Sequence, residues 1–136
     1  MPKLLRCPSE DKTTALSWDN GATGLGMLRN NAVSYFVGLE VMDSRPMMHL
    51  AGDGDITGLE KQTCVPGGLP NCKNATRLNP NLDDPSWDNS IHVKVGNITL
   101  VDGSSHSYNK ARLMTHLQNT GATPLDNCVL KPIYGT

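Results

Sequence analysis

The sequence predicts an α+β domain: an antiparallel sheet, one short C-terminal helix, and long loops. Three observations lead there. Residues 91–108, IHVKVGNITLVDGSSHSY, alternate apolar and polar side chains around two dipeptides, Gly96-Asn97 and Asp102-Gly103, of the kind that closes two-residue hairpins. Residues 109–119 combine helical periodicity with signals at both ends. Thirteen glycines and nine prolines, among abundant Asn and Asp, assign much of the remainder to loops. At 136 residues the chain reads as a single domain, 1–136, with room for one core and not two.

Taken in order, residues 1–31 show no sustained period, and Gly24 and Gly26 weaken a helical turn over 22–30. Residues 32–41 are the first strand, with Val33, Tyr35 and Val37 alternating against Ser34, Phe36 and Gly38. Asp43-Ser44-Arg45-Pro46 is a turn and residues 47–51 a second strand, so the two should pair as a hairpin. Residues 52–89 are irregular, broken by Pro66-Gly67-Gly68 and Asn79-Pro80. Cys64 and Cys72 bracket a loop that can bring them together, which favours a bridge there and leaves Cys7–Cys128 to tie the chain ends; four cysteines permit three pairings in all. Zinc competes for these thiols, but no C-x2-C pair supports it.

If both hairpin loops hold two residues, Val95 pairs with Ile98, Val93 with Leu100, His92 with Val101, and Val101 with Ser104. One face of that three-strand meander then carries Ile91, Val93, Val95, Ile98, Leu100, Ser105 and Ser107. The other carries His92, Lys94, Thr99, Val101, Ser104 and His106. The helix follows, capped by Ser107 or Asn109, with Leu113, Met114 and Leu117 as its apolar stripe and Gly121 and Pro124 ending it. Residues 129–134 form an extended tail fastened at Cys128.

Charge and hydropathy exclude several functions. A formal charge of −1, without a basic run, gives no reason for nucleic acid or an anionic membrane as partner. No segment approaches the roughly 20 apolar residues of a membrane span, and the opening residues are no signal peptide.

Two constellations could carry chemistry. Asp53-Gly54-Asp55-Ile56-Thr57-Gly58 resembles the first half of a calcium loop, although Cys64 stands where the twelfth-position Glu belongs. Asp83, Asp84 and Asp88 are the distant carboxylates that would complete a calcium shell with Asp53 and Asp55. His92, Ser104 and His106 are the candidate catalytic groups of one face; Asp102 is explained by its hairpin turn, and no nucleophile-elbow motif accompanies them. Of the other histidines, His49 is expected buried or at an edge and His116 exposed on the helix, with Met47 and Met48 in the core.

The same segments carry a resemblance. His92, nine intervening residues and Asp102-Gly103 reproduce the H-x9-DG pattern of a family of pseudopilin-like proteins related to type II secretion. Cys7-Pro8-Ser9-Glu10, Val33-Ser34-Tyr35-Phe36-Val37-Gly38, Leu50-Ala51-Gly52-Asp53 and Gly96-Asn97-Ile98 also look like that family, in dispersed pieces over roughly residues 5–121. The resemblance is to the globular head, without the leader, cleavage site and apolar stem helix with which such proteins begin. It implies a pilin-type head, a structural or assembly role, pseudopilin or secretion-system subunits as partners, a calcium ion as the expected cofactor, and a periplasmic or extracellular location that suits the cysteines. Without the stem, the chain alone should be a monomer. The alternative function is a small hydrolase of esters or lactones that uses calcium as a Lewis acid.

Overall fold

A computed structural model describes residues 2–60, 75–88 and 92–132. A 3-10 turn (Pro2–Leu5), one helical turn α1 (Leu25–Leu28) and a second 3-10 turn (Arg29–Ala32) precede the first strand. The strands are β1 (Tyr35–Gly38), β2 (His49–Asp53), β3 (Ile56–Thr57), β4 (Leu59–Glu60), β5 (Ala75–Arg77), β6 (Ser86–Trp87), β7 (Val95–Leu100), β8 (Ser105–Asn109) and β9 (Val129–Leu130). Helix α2 (Lys110–Gln118) lies between β8 and β9. Seven strands form one sheet in the order β4-β5-β9-β1-β2-β7-β8, and β3 pairs with β6 separately. Every pair is antiparallel, so the α+β architecture expected from the sequence is the one observed.

The β1–β2 hairpin forms as expected, with Tyr35 opposite Asp53 and Val37 opposite Ala51. Its strands start later than the alternation suggests, because residues 29–32 coil into a 3-10 turn and Met47 is half-exposed before the ladder begins. Of the expected tail, Val129–Leu130 run extended and enter the sheet between β5 and β1, and residues 133–134 lie outside the described residues. Asn109 caps α2, its side chain accepting the Arg112 amide at 3.0 Å. That satisfies one of the amides a helix start leaves open.

The meander is corrected. Gly96-Asn97 is no turn: β7 runs straight through it. Glycine stands there because a Cβ at residue 96 would come within 1.9 Å of Trp87 Cε2, and Asn97 is held by Asp53 through its amide (2.7 Å) and side chain (3.1 Å). Among the described residues, 92–94 do not pair as a strand either. The hairpin that forms in this segment, β7–β8, sets Thr99 opposite Ser105 and Ile98 opposite His106. Its loop holds three residues, 101–103, with Gly103 at φ 87° and its amide donating to Leu100 O at 3.0 Å. A three-residue loop that ends on a left-handed glycine is the next hairpin solution after two. The one-residue slip turns β8 over. Tyr108 and His106 now share the face of Ile98 and Leu100, while Ser105 and Ser107 bond to Thr99 and Asn97.

Phe36, Ile98, Leu100 and Val129 from the sheet, Leu113 and Leu117 from α2, and Ile56, Leu78 and Trp87 form the core, with Tyr108 packed against it. Met48 is fully buried. The opposite sheet face is open across its middle, where Leu130, Val37, Ala51, Thr99 and Ser105 stand in register on successive strands. Val37 is 49% and Leu130 39% exposed. Among the described residues no helix is long and apolar enough to cross a membrane.

Candidate functional site

The segments singled out by sequence send side chains to one place at the end of β2. Cys7 is a free, buried thiol, so the expected Cys7–Cys128 tie is not made. Its Sγ lies 3.4 Å from His92 Nε2. Cys128 is disulfide-bonded, with its partner outside the described residues, as are Cys64 and Cys72. His92 Nε2 is also 3.9 Å from Asp53 Oδ2. Asp53 is buried, and the same oxygen takes both bonds from Asn97, while its carbonyl accepts from Trp87 Nε1 at 3.2 Å. His92 is presented by an unusual backbone. His92, Val93 and Lys94 have φ of 52°, 53° and 64°, a left-handed run that costs a non-glycine chain about 1–2 kcal/mol per residue.

More carboxylates gather around this pair. Glu10 contacts Lys12 Nζ at 3.4 Å, and Lys12 also donates to the carbonyls of Asn30 and Val33. Burial holds the Lys12 ammonium below its usual range, against the attraction of Glu10. Asp55, in the turn after β2, is half-buried, and both its oxygens are buried without a donor from another described residue. Burial first, then the charges of Asp53, Asp88 and Glu10, push its carboxyl up to about 6. Tyr35 sits nearby, its phenol raised by burial and then by Cys7, Asp53 and Glu10.

The five aspartates expected to share an ion are therefore divided. The charges of Asp53 and Asp88 both act on Asp55, but Asp83 holds Arg77 through two contacts of 2.9 and 2.8 Å. Asp84 holds Lys110 at 2.7 Å. Asp83 and Asp84 instead line a shallow surface depression with Thr57 and Gly58. Among the described residues no group of three or more His, Cys, Asp or Glu side chains is placed to hold a metal ion.

His92, Ser104 and His106 are also separated, since His92 lies beside Cys7. Ser104 and His106 do meet, at the exposed β7–β8 turn: Oγ is 2.8 Å from His106 Nε2 and donates to Asp102 Oδ1 at 2.6 Å. A nucleophilic serine needs its proton directed to the imidazole. Here that proton goes to the carboxylate, so Nε2 must donate to Oγ and cannot act as its base. Asp102, which also accepts the Ser104 amide, is held below the ordinary carboxyl range by these two bonds; it locks the turn.

His116 is a correction, being buried rather than exposed, because it shares the stripe of Leu113 and Leu117. Its Nε2 meets His49 Nδ1 at 3.3 Å inside the core. Tyr108 stacks on His116 and His106 on Tyr108, at centroid separations of 5.3 and 5.6 Å. Burial depresses His49 to about 3, with His116 adding to it, and burial depresses His116 to about 4. The spacing of residue 116 from Leu113 was the signal for its burial. For the meeting of Cys7 with His92, sequence offered only the two motifs, with nothing to join them.

No protein-family model, curated protein or solved structure matches the chain.

Proposed function

We propose that this chain is a pseudopilin-like head, a non-enzymatic assembly module whose partners are other subunits of a secretion-type filament. The observation that carries the reading is the open sheet face. One side of the antiparallel sheet is closed by α2, while the other presents the row Leu130, Val37, Ala51, Thr99 and Ser105, part apolar and part polar. A surface of this kind suits a packed helix or a neighbouring subunit rather than a small substrate. The H-x9-DG resemblance supplies the class of partner, and an extracytoplasmic location belongs to the same reading. A photo-crosslinking residue placed at Val37 or Leu130, in the cell that makes the protein, should capture small subunits bearing a pilin-type apolar helix. Capture of no such subunit from either position would overturn it.

The second reading, a calcium-dependent ester or lactone hydrolase, draws on the half-buried Asp55 beside Asp53 and Asp88. It predicts turnover that appears with added calcium, vanishes with chelator and is lost in Asp55→Ala. Absence of turnover on a panel of esters and lactones removes it.

A further inference from the structure

We propose that the buried His49–His116 pair is a pH-sensitive latch, which holds α2 against the sheet at neutral pH and releases the helix in mild acid. The geometry of the pair carries the argument. His49 stands on β2, an interior strand of the sheet, and His116 on α2, so their contact joins helix to sheet. His49 Nδ1 lies 3.3 Å from His116 Nε2, with His49 fully buried and His116 5% exposed. A hydrogen bond between two neutral imidazoles needs one nitrogen with its proton and one without. The other nitrogen of His49, Nε2, is buried with no hydrogen-bond partner among the described residues. A proton there would be an orphaned donor, at the full cost of its desolvation. The network therefore assigns the proton to His49 Nδ1, which donates to His116 Nε2.

The closed pair has no place for a further proton. On His116 Nε2 it would meet the Nδ1 proton of His49 head to head. On His49 Nε2 it would leave a charged ring, still without an acceptor, inside the core. The surrounding elements offer no compensation. From β1 comes the Phe36 ring, 5.8 Å from His49 between centroids, and from β7 comes Leu100, opposite His49 in register. From β6 come Ser86 and Trp87, neither of them titratable. From β8 come Tyr108, stacked on His116, and His106, stacked on Tyr108; His106 acts against charge on His116. Arg112 and Asp102 act on Tyr108, and Asp102 pairs electrostatically with His106. The Asn127 backbone favours charge on His49, but burial outweighs it. Among the described residues no carboxylate acts on either ring of the pair.

The helix is lightly held apart from this face. At nine residues it is shorter than a helix that stands alone in water, and its buried side chains are Leu113, His116 and Leu117. Its outer ties, Lys110 to Asp84 and Gln118 to Asn81, are exposed and contribute little. Asn127 Nδ2 holds the Leu117 carbonyl at 2.9 Å near the helix end. When α2 lifts, His116 leaves with it and uncovers His49, so two protons drive one opening. The closed rings titrate at about 3 and about 4, against about 6.5 for a solvated imidazole. From pH 7 to 5 the opening is therefore favoured about 20-fold by each ring and about 500-fold by both. It uncovers the core side of the sheet at Phe36, Ile98 and Leu100, the face opposite the row through Val37.

Amide hydrogen exchange on the native chain tests the latch, each rate being corrected for the intrinsic pH dependence of exchange. From pH 7 to 5 the protection of the α2 amides should fall about 500-fold, and at pH 5 it should lie at least about tenfold below that of the β1–β2 ladder. A fall of less than about tenfold, or equal protection of helix and ladder at pH 5, would overturn the proposal. In His116→Gln the fall should shrink to about 20-fold; an undiminished fall would place the sensor elsewhere. A second measurement needs no variant. The nitrogen-15 shifts of the His49 ring should show its proton on Nδ1 at pH 7, and charge should appear only as α2 protection is lost. A His49 ring that becomes charged while α2 stays protected would sink the latch. Neither readout depends on subunit assembly, so the latch and the filament-head reading stand or fall separately.

Discussion

Lowering the pH from 7 to 5 should destabilise this protein by about 4 kcal/mol through two buried imidazoles. His49 is fully buried and His116 nearly so, and their contact leaves both neutral in the fold. His49 titrates at about 3 and His116 at about 4 in the folded chain, against an ordinary value of 6.5. Between those values the unfolded chain binds protons that the folded chain refuses, so stability falls as pH falls below 6.5. At pH 5 each imidazole lies about 1.5 pH units below its unfolded value, which at about 1.36 kcal/mol per unit is about 2 kcal/mol each. The contribution is fully present above pH 6.5 and continues to drain until the folded values are reached. For a domain with about 5–15 kcal/mol in hand, the loss is large. Asp55 acts in the opposite sense, since a carboxyl raised to about 6 is relieved by acid. The comparison must therefore be made against a variant that keeps it. Urea unfolding at pH 7, 6 and 5 should show a falling midpoint at constant slope for the parent chain. In the double variant His49→Gln, His116→Gln the fall should shrink by about 4 kcal/mol. An equal pH response in parent and double variant would refute the reasoning, because the two imidazoles would then not be the groups held neutral by the fold.

The remaining predictions are local. Gly96→Ala should cost about 3 kcal/mol, since its Cβ would fall 1.9 Å from the Trp87 ring; near-parental stability in urea would mean that the indole can pivot away. Asn109→Ala should cost about 1 kcal/mol by removing the cap on the Arg112 amide, seen as a matching drop in helix signal and unfolding midpoint. Residues 1–136 alone should elute as a monomer on size exclusion; fibres or large oligomers would contradict a head that needs other subunits to assemble.

What was legible in the sequence was local. The β1–β2 hairpin follows from alternation on either side of a proline turn, and α2 from its Asn109 cap, its Leu113–Leu117 stripe and Gly121, whose φ is +80°. These depend on neighbours a few residues apart, which a sequence displays directly. The Gly96-Asn97 dipeptide was misread for the converse reason. Its composition is that of a turn, but the forces on it come from Trp87 and Asp53, which reach it across the fold. One extra residue in the neighbouring loop then reversed the faces of β8, and with them the surroundings of His106 and Tyr108.

The candidate site divides the same way. Sequence alone determined that this is an antiparallel α+β domain and that His92, Asp53 and Cys7 lie in segments worth attention, because patterning and motifs are written in short stretches. Only the tertiary structure decided that Cys7 faces His92 instead of bonding to Cys128, that Asp83 and Asp84 answer Arg77 and Lys110, and that His116 is buried against His49. Each of those outcomes is a choice among partners of similar chemistry. Which partner arrives is settled by how the sheet brings together residues as much as 85 positions apart, a matter of chain path and packing that no local pattern encodes.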